Sequence, residues 1–205
     1  MEYGVRHLRF AQYRVTPWQN GKGVTREIAA SATSVGSDAA PDWRISMATV
    51  TEDAPFSRFP GLVRTLGVVA GAGIELTIAG NSRPIHVGDA PAVFPGDVPA
   101  SARPLDGPVF DLNLMVNPAR IMGRMSGIPA GTHDLAGLSW FVVALVDGLE
   151  LRINDRQPLA LPRLDTAKLD LRAGPLARLT LSRSVADAAG AASGAPVAYL
   201  LSISH

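Results

Sequence analysis

The chain has 205 residues, 47% hydrophobic and 18% charged, with 20 glycines and 16 prolines, the profile of a globular protein built from short elements and many turns. A net charge of +1, with lysine only at Lys22 and Lys168, offers no field for nucleic acid or acidic lipid, and the absence of cysteine excludes disulfides, thiol nucleophiles and thiolate metal sites. Residues 1–7 lack an apolar signal core and the apolar run 141–146 is far too short to span a membrane, so a cytoplasmic location without membrane contact is expected.

In chain order, the first dense cluster is Pro17-Trp18-Gln19-Asn20-Gly21-Lys22-Gly23-Val24-Thr25-Arg26-Glu27. Asn20-Gly21 is a strong turn signal between two strands. The cluster reads either as a hairpin whose Trp18 plugs the core or as a glycine loop that meets a ligand. Its glycine spacing matches neither GxxxxGK[ST] nor GxGxxG, so it is no phosphate loop. Period-two patterns then predict strands over residues 24–29, Trp43–Val50, Ile74–Ile78, 110–115 and Leu149–Ile153, and further strands over 176–181 and 198–203. Between them stand the turn formers Gly71-Ala72-Gly73, Gly80-Asn81, Gly88-Asp89, Pro95-Gly96-Asp97 and Asp147-Gly148. Residues 118–125 allow one short helix or turn, and the alanine- and glycine-rich stretch 186–196 reads as a loop. The fold class is all-β with very little helix, a sandwich or small barrel.

A weak repeat refines this. Gly73-Ile74-Glu75-Leu76-Thr77-Ile78 returns as Gly148-Leu149-Glu150-Leu151-Arg152-Ile153, and Arg83-Pro84-Ile85-His86-Val87 lines up with Gln157-Pro158-Leu159-Ala160-Leu161. The repeat divides the chain into halves of residues 1–115 and 116–205.

Three groups of side chains could carry chemistry. In the strand Asp111-Leu112-Asn113-Leu114-Met115, one face carries Asp111, Asn113 and Met115 and the other carries the leucines. That polar face looks either into water or into a lumen, where unpaired polar groups are costly. In Phe56-Ser57-Arg58-Phe59-Pro60-Gly61-Leu62-Val63-Arg64, Arg58 and Arg64 offer fork-shaped donors suited to carboxylates. The histidines His7, His86, His133 and His205 show no H-x-H or H-x-x-x-H pairing, and three or four converging ligands are what a first-row metal needs. No metal, no cofactor and no catalytic residue is therefore assigned; no G-x-S-x-G elbow is present either.

The run from Pro17 to Ala29 resembles the PW-x-NG-x-G-x-TREIA signature of the HutD/Ves family. Trp43-Arg44-Ile45-Ser46-Met47-Ala48, then Phe56-Ser57-x-Phe59-Pro60-Gly61-x-x-Arg64, then Phe110 to Met115 follow in that family's order. Gln19 and Lys22 depart from the pattern, both in the loop. The resemblance implies a bicupin, two cupin-like β-barrels of jelly-roll type in one chain. In it the N-terminal barrel, residues 1–115, holds the pocket, and the C-terminal barrel, residues 116–205, is degenerate. It implies a role in histidine utilisation and a pocket of Asn20, Thr25, Glu27, Arg44, Ser46, Arg64, Asp111 and Asn113, with Arg26 replacing Thr25 and Glu27 if the register is shifted by one. The expected partner is a small anionic metabolite of the urocanate or N-formylglutamate class, bound without metal in a regulatory role. A metal-independent enzyme with Glu27 or Asp111 as general base is the alternative, and an interaction module whose second barrel docks a partner, such as a second copy of the chain, is a third reading. The binding reading requires Asp111 and Asn113 to turn inward beside an arginine.

Overall fold

A computed structural model describes residues 4–18, 23–32, 41–171, 176–184 and 194–204. In chain order the strands are β1 (Val5–Leu8), β2 (Arg14–Pro17), β3 (Gly23–Ala30), β4 (Trp43–Val50), β5 (Ala54–Pro55), β6 (Val63–Ala70), β7 (Ile74–Ile78), β8 (Asn81–Ile85), β9 (Ala92–Pro95) and β10 (Ala100–Pro104). They continue as β11 (Val109–Val116), β12 (Met122–Pro129), β13 (Gly131–Leu135), β14 (Ser139–Ala144), β15 (Leu149–Ile153), β16 (Leu159–Leu161), β17 (Thr166–Asp170), β18 (Ala177–Arg183) and β19 (Pro196–Ser204). Among the described residues the only helical element is the 3-10 turn Phe10–Gln12, so no helix there is long and apolar enough to cross a membrane. The chain is all-β. The segment 118–125 resolves into a turn, in which Arg120 N and Ile121 N both donate to Asn117 O, followed by the start of β12. Most of the loop 186–196 lies outside the described residues.

The strands fall into two compact units, Tyr13–Arg124 and Met125–Ser204 together with Met1–Gln12. The units therefore differ from the halves drawn from the repeat chiefly in β1, which pairs antiparallel with β17.

In the unit Tyr13–Arg124, a six-stranded sheet of order β2-β3-β4-β11-β6-β9 faces a four-stranded sheet of order β5-β10-β7-β8. Leu66, Val68, Val50 and Val109 from the first sheet meet Ile74, Leu76, Ile85 and Ala102 from the second in one core. Each of the valine, leucine and isoleucine side chains contributes about 1.5–3 kcal/mol of burial. Along β4 and β11 both faces are buried, Ile45, Met47, Leu112 and Leu114 included, so apolar residues stand on both sides of these strands.

The other unit has the same plan, with sheets of order β1-β17-β14-β19-β12 and β13-β18-β15-β16. The sequence repeat falls on matching places: β7 lies between β10 and β8 just as β15 lies between β18 and β16. Backbone conformation repeats too. Gly73 and Gly148 enter their strands with φ of 119° and 65°, and Ala79 and Asn154 leave them with φ of 48° and 51°. Left-handed backbone at matching turn positions is a demand of the hairpin, not of either residue.

Candidate functional site

The site is assembled by β3, β4, β11, β6 and β9, whose register lines up side chains in rungs on the face turned toward the four-stranded sheet. One rung is Thr25, Ala48, Asp111 and Val68. The next is Glu27, Ser46, Asn113, Leu66 and Ala92. The third is Arg44, Met115, Arg64 and Phe94. Seven of the eight residues singled out by sequence thus share one face; Asn20 lies outside the described residues. The β3–β4 register also decides between Thr25 with Glu27 and the alternative Arg26. Arg26 stands opposite Met47, on the reverse face, where its Nη1 donates to Thr49 Oγ1 at 2.9 Å.

At the centre is a buried polar chain. Arg64 is 4% exposed, Asn113 2%, Ser46 2% and Asp111 0%, so none of them can rely on bulk water. Arg64 Nε donates to Asn113 Oδ1 at 2.6 Å, and Asn113 Nδ2 donates to Asp111 Oδ1 at 2.5 Å. The same carboxylate oxygen accepts from Ala48 N at 3.3 Å. Asn113 is therefore a relay: its amide accepts from the cation and donates to the anion. Asp111 Oδ2, fully buried, has no hydrogen-bond partner among the described residues, and such an orphan typically costs about 1–3 kcal/mol.

Electrostatics follow from burial. Desolvation pushes the Asp111 carboxyl up to about 6, against the pull of Arg64 and the hydrogen bonds from Ala48 and Asn113. Desolvation likewise lowers Arg64 to about 10, Asp111 opposing this and the neighbouring Arg44 cation reinforcing it. At neutral pH the guanidinium stays charged. Arg64 and Arg44 thus face the single carboxylate of Asp111 at the buried centre, while Glu27 at the margin is paired with Arg14; the excess of positive charge at the centre favours an anion.

Aromatic rings frame the cations. The Arg64 guanidinium lies 4.0 Å from the Phe56 ring centroid and 5.6 Å from that of Phe94, and Arg44 lies 5.5 Å from that of Phe59. Arg44 Nη2 also reaches Met115 Sδ at 3.8 Å. These contacts depend on Gly96. The loop before β6 crosses the end of β9 so closely that Phe59 N donates to Gly96 O and Gly96 N to Leu62 O, both at 2.7 Å. A Cβ at Gly96 would stand 2.5 Å from Phe59 O.

The remaining predicted residues sit at the margin. Thr25 Oγ1 accepts from Trp18 Nε1 at 2.8 Å, which ties the first motif's tryptophan to the sheet. Glu27 Oε1 accepts from Arg14 Nη2 at 3.0 Å. Arg58 is exposed, whereas Arg64, its equal in the sequence motif, is buried. Sequence reasoning missed Phe94, although it immediately precedes the Pro95-Gly96-Asp97 turn former. Among the described residues no group of three or more His, Cys, Asp or Glu side chains converges.

This geometry can be set beside known proteins. The family model described as HutD matches residues 10–187. The chain belongs to the HutD family. A Pseudomonas putida protein described as an uncharacterized 21.2 kDa protein in the hutC 3' region is 38% identical over 119 residues, spanning 58% of this chain and 61% of that protein. Protein Ves of Citrobacter koseri is 30% identical over 137 residues, 65% of this chain and 69% of its own length. HutD from Pseudomonas fluorescens SBW25 is similar in structure over 98% of both chains, with a TM-score of 0.77 and 27% identity. HutD membership suggests a role linked to histidine utilisation, and the buried Arg64-Asn113-Asp111 chain is the candidate site of the unit Tyr13–Arg124.

Proposed function

We propose that the chain is a cytoplasmic, metal-free binding protein that takes a small carboxylate of histidine catabolism, of the urocanate or N-formylglutamate class, and serves a regulatory role. In this reading each unit is a cupin-type barrel of the jelly-roll kind, and the ligand enters the one formed by Tyr13–Arg124. The observation that carries it is the pairing of a buried cation with an orphaned carboxylate oxygen, Arg64 and Asp111 Oδ2, on the same sheet face. A ligand bearing both a carboxylate and an N–H answers both. Its carboxylate takes two charge-assisted hydrogen bonds from Arg64 or Arg44, about 1.5–3 kcal/mol each, and its ring or amide N–H donates to Asp111. Ser46, Thr25 and Glu27 complete the polar face; Asn20, which the family resemblance adds to the set, lies outside the described residues.

The raised Asp111 carboxyl, at about 6, favours a second reading, a metal-independent enzyme in which Asp111 is the general base. Glu27 suits that role less well because Arg14 holds it. Titration of urocanate and N-formylglutamate by calorimetry, with Arg64→Ala and Arg44→Ala beside the parent, tests the first reading: at least one variant loses about tenfold in affinity or more, the equivalent of about 1.4 kcal/mol. Unchanged affinity in both ends it. Chromatographic detection of product from either compound would instead establish the enzyme.

A further inference from the structure

The unit formed by Met1–Gln12 and Met125–Ser204 contains a cavity of about 330 Å³ that the reading above does not use. Its apolar lining is Val5 from β1, Leu151 and Ile153 from β15, and Leu159 from β16, so both sheets of the unit contribute to it. Its polar lining is His7, Arg156 and Gln157. Arg156 and Gln157 occupy the exposed β15–β16 turn, while His7 comes from β1. The space equals that of about ten water molecules, enough for one ring or a short chain.

The polar lining has a definite sign. Arg156 brings a permanent cation, and none of the described residues that line the cavity is a carboxylate. The nearby acid, Asp165, is fully engaged: its Oδ2 accepts from His7 Nε2 at 2.6 Å and its Oδ1 from Phe10 N at 2.8 Å. A carboxylate can only accept, so the Nε2 proton is fixed on the side of Asp165 and the ring orientation is fixed with it. The cavity thus combines an aliphatic wall, a guanidinium at its rim and an imidazole braced from behind, the usual composition of a small-molecule site.

We propose that this cavity is a second binding site, for a small monocarboxylate with an apolar ring or short chain. The body packs against Val5, Leu151, Ile153 and Leu159, the carboxylate meets Arg156, and Gln157 and His7 supply further polar contacts. This site is chemically distinct from that of Arg64, because its wall is apolar and it holds no buried Asp to receive an N–H.

The test uses the full chain with labelled Ile, Leu and Val methyl groups, titrated with sodium benzoate and, separately, with neutral benzamide. Benzoate produces saturable shifts in the methyls of Val5, Leu151, Ile153 and Leu159, and benzamide binds about tenfold more weakly, the worth of roughly one charge-assisted bond. Arg156→Gln, an exposed change that leaves the core intact, removes that preference. Arg64→Gln leaves these methyl shifts unchanged, which separates this site from the first. Absence of saturation up to about 10 mM, well beyond the range of a weak specific site, overturns the proposal. So does equal binding of benzamide, or an Arg156→Gln variant that binds benzoate as the parent does.

Discussion

The interiors of the two units can be compared rung by rung, because Leu66 stands between Asn113 and Ala92 just as Val142 stands between Leu200 and Ala167. On that alignment Arg64 corresponds to Trp140, Asn113 to Leu200, Asp111 to Ala198 and Phe94 to Leu169. One plan of strands therefore holds a charged chain in one unit and an aliphatic core in the other, where Leu200, Ala198 and Leu169 are all buried. The fold needs neither the arginine nor the aspartate. Buried charge retained where the matching positions manage without it costs desolvation, which supports the binding reading proposed above.

The sharpest way to break the comparison is to make the first interior resemble the second. Arg64→Ala alone strands Asp111 without its cation and is expected to lower stability by about 3–5 kcal/mol. The triple variant Arg64→Met, Asn113→Leu, Asp111→Ala restores an apolar interior and is expected within about 1 kcal/mol of the parent, while losing carboxylate binding. Urea denaturation of both variants measures this. A triple variant as unstable as the single one would show that the polar chain is structural.

The next effect concerns pH. Asp111 rises from 3.8 to about 6 on folding, so the folded state holds the proton more tightly than the unfolded chain. Its contribution to stability is full below pH about 4 and is lost as pH rises through about 6, a change of about 2–3 kcal/mol at 1.36 kcal/mol per unit. Asp111→Asn removes that portion of the slope and nothing comparable arises at Ala198. Stability curves of parent and variant between pH 4 and 7 that run parallel would contradict this account.

The smallest effect sharpens the likeness of the two units. Ala79 adopts the left-handed conformation that Asn154 adopts in the matching turn, and asparagine tolerates it better than alanine. Ala79→Asn is expected to raise stability by about 0.5–1 kcal/mol, seen as a higher urea midpoint with an unchanged slope. A lower midpoint would mean that the two turns are not equivalent.

Much of this was legible in sequence. The patterns in Trp43–Val50 and 110–115 gave two strands of the site, and the Pro17–Glu27 motif gave a third. The strand β6 was not read, because Val63-Arg64-Thr65-Leu66-Gly67-Val68-Val69-Ala70 is buried at nearly every position and a strand covered on both faces has no period-two signal. Arg58 and Arg64 looked alike in their motif; only tertiary burial distinguishes them. The relay through Asn113 depends on amide orientation, and the choice of Thr25 and Glu27 over Arg26 depends on register, neither of which local pattern specifies. The pairing of β1 with β17 left no local signature either, since its partners lie far apart in the chain.

That last pairing shapes how the polypeptide is made. His7 and Asp165 are separated by 158 positions, and ribosomes add roughly 5–20 residues each second, so β1 emerges on the order of 10 s before the strand that receives it. Meanwhile Tyr13–Arg124 acquires every strand of its own unit. The opening segment must stay unpaired through that interval, and its docking is a long-range closure of the kind that slows folding. A fusion partner placed ahead of β1 would therefore burden the unit completed last, not the one that follows it in the chain.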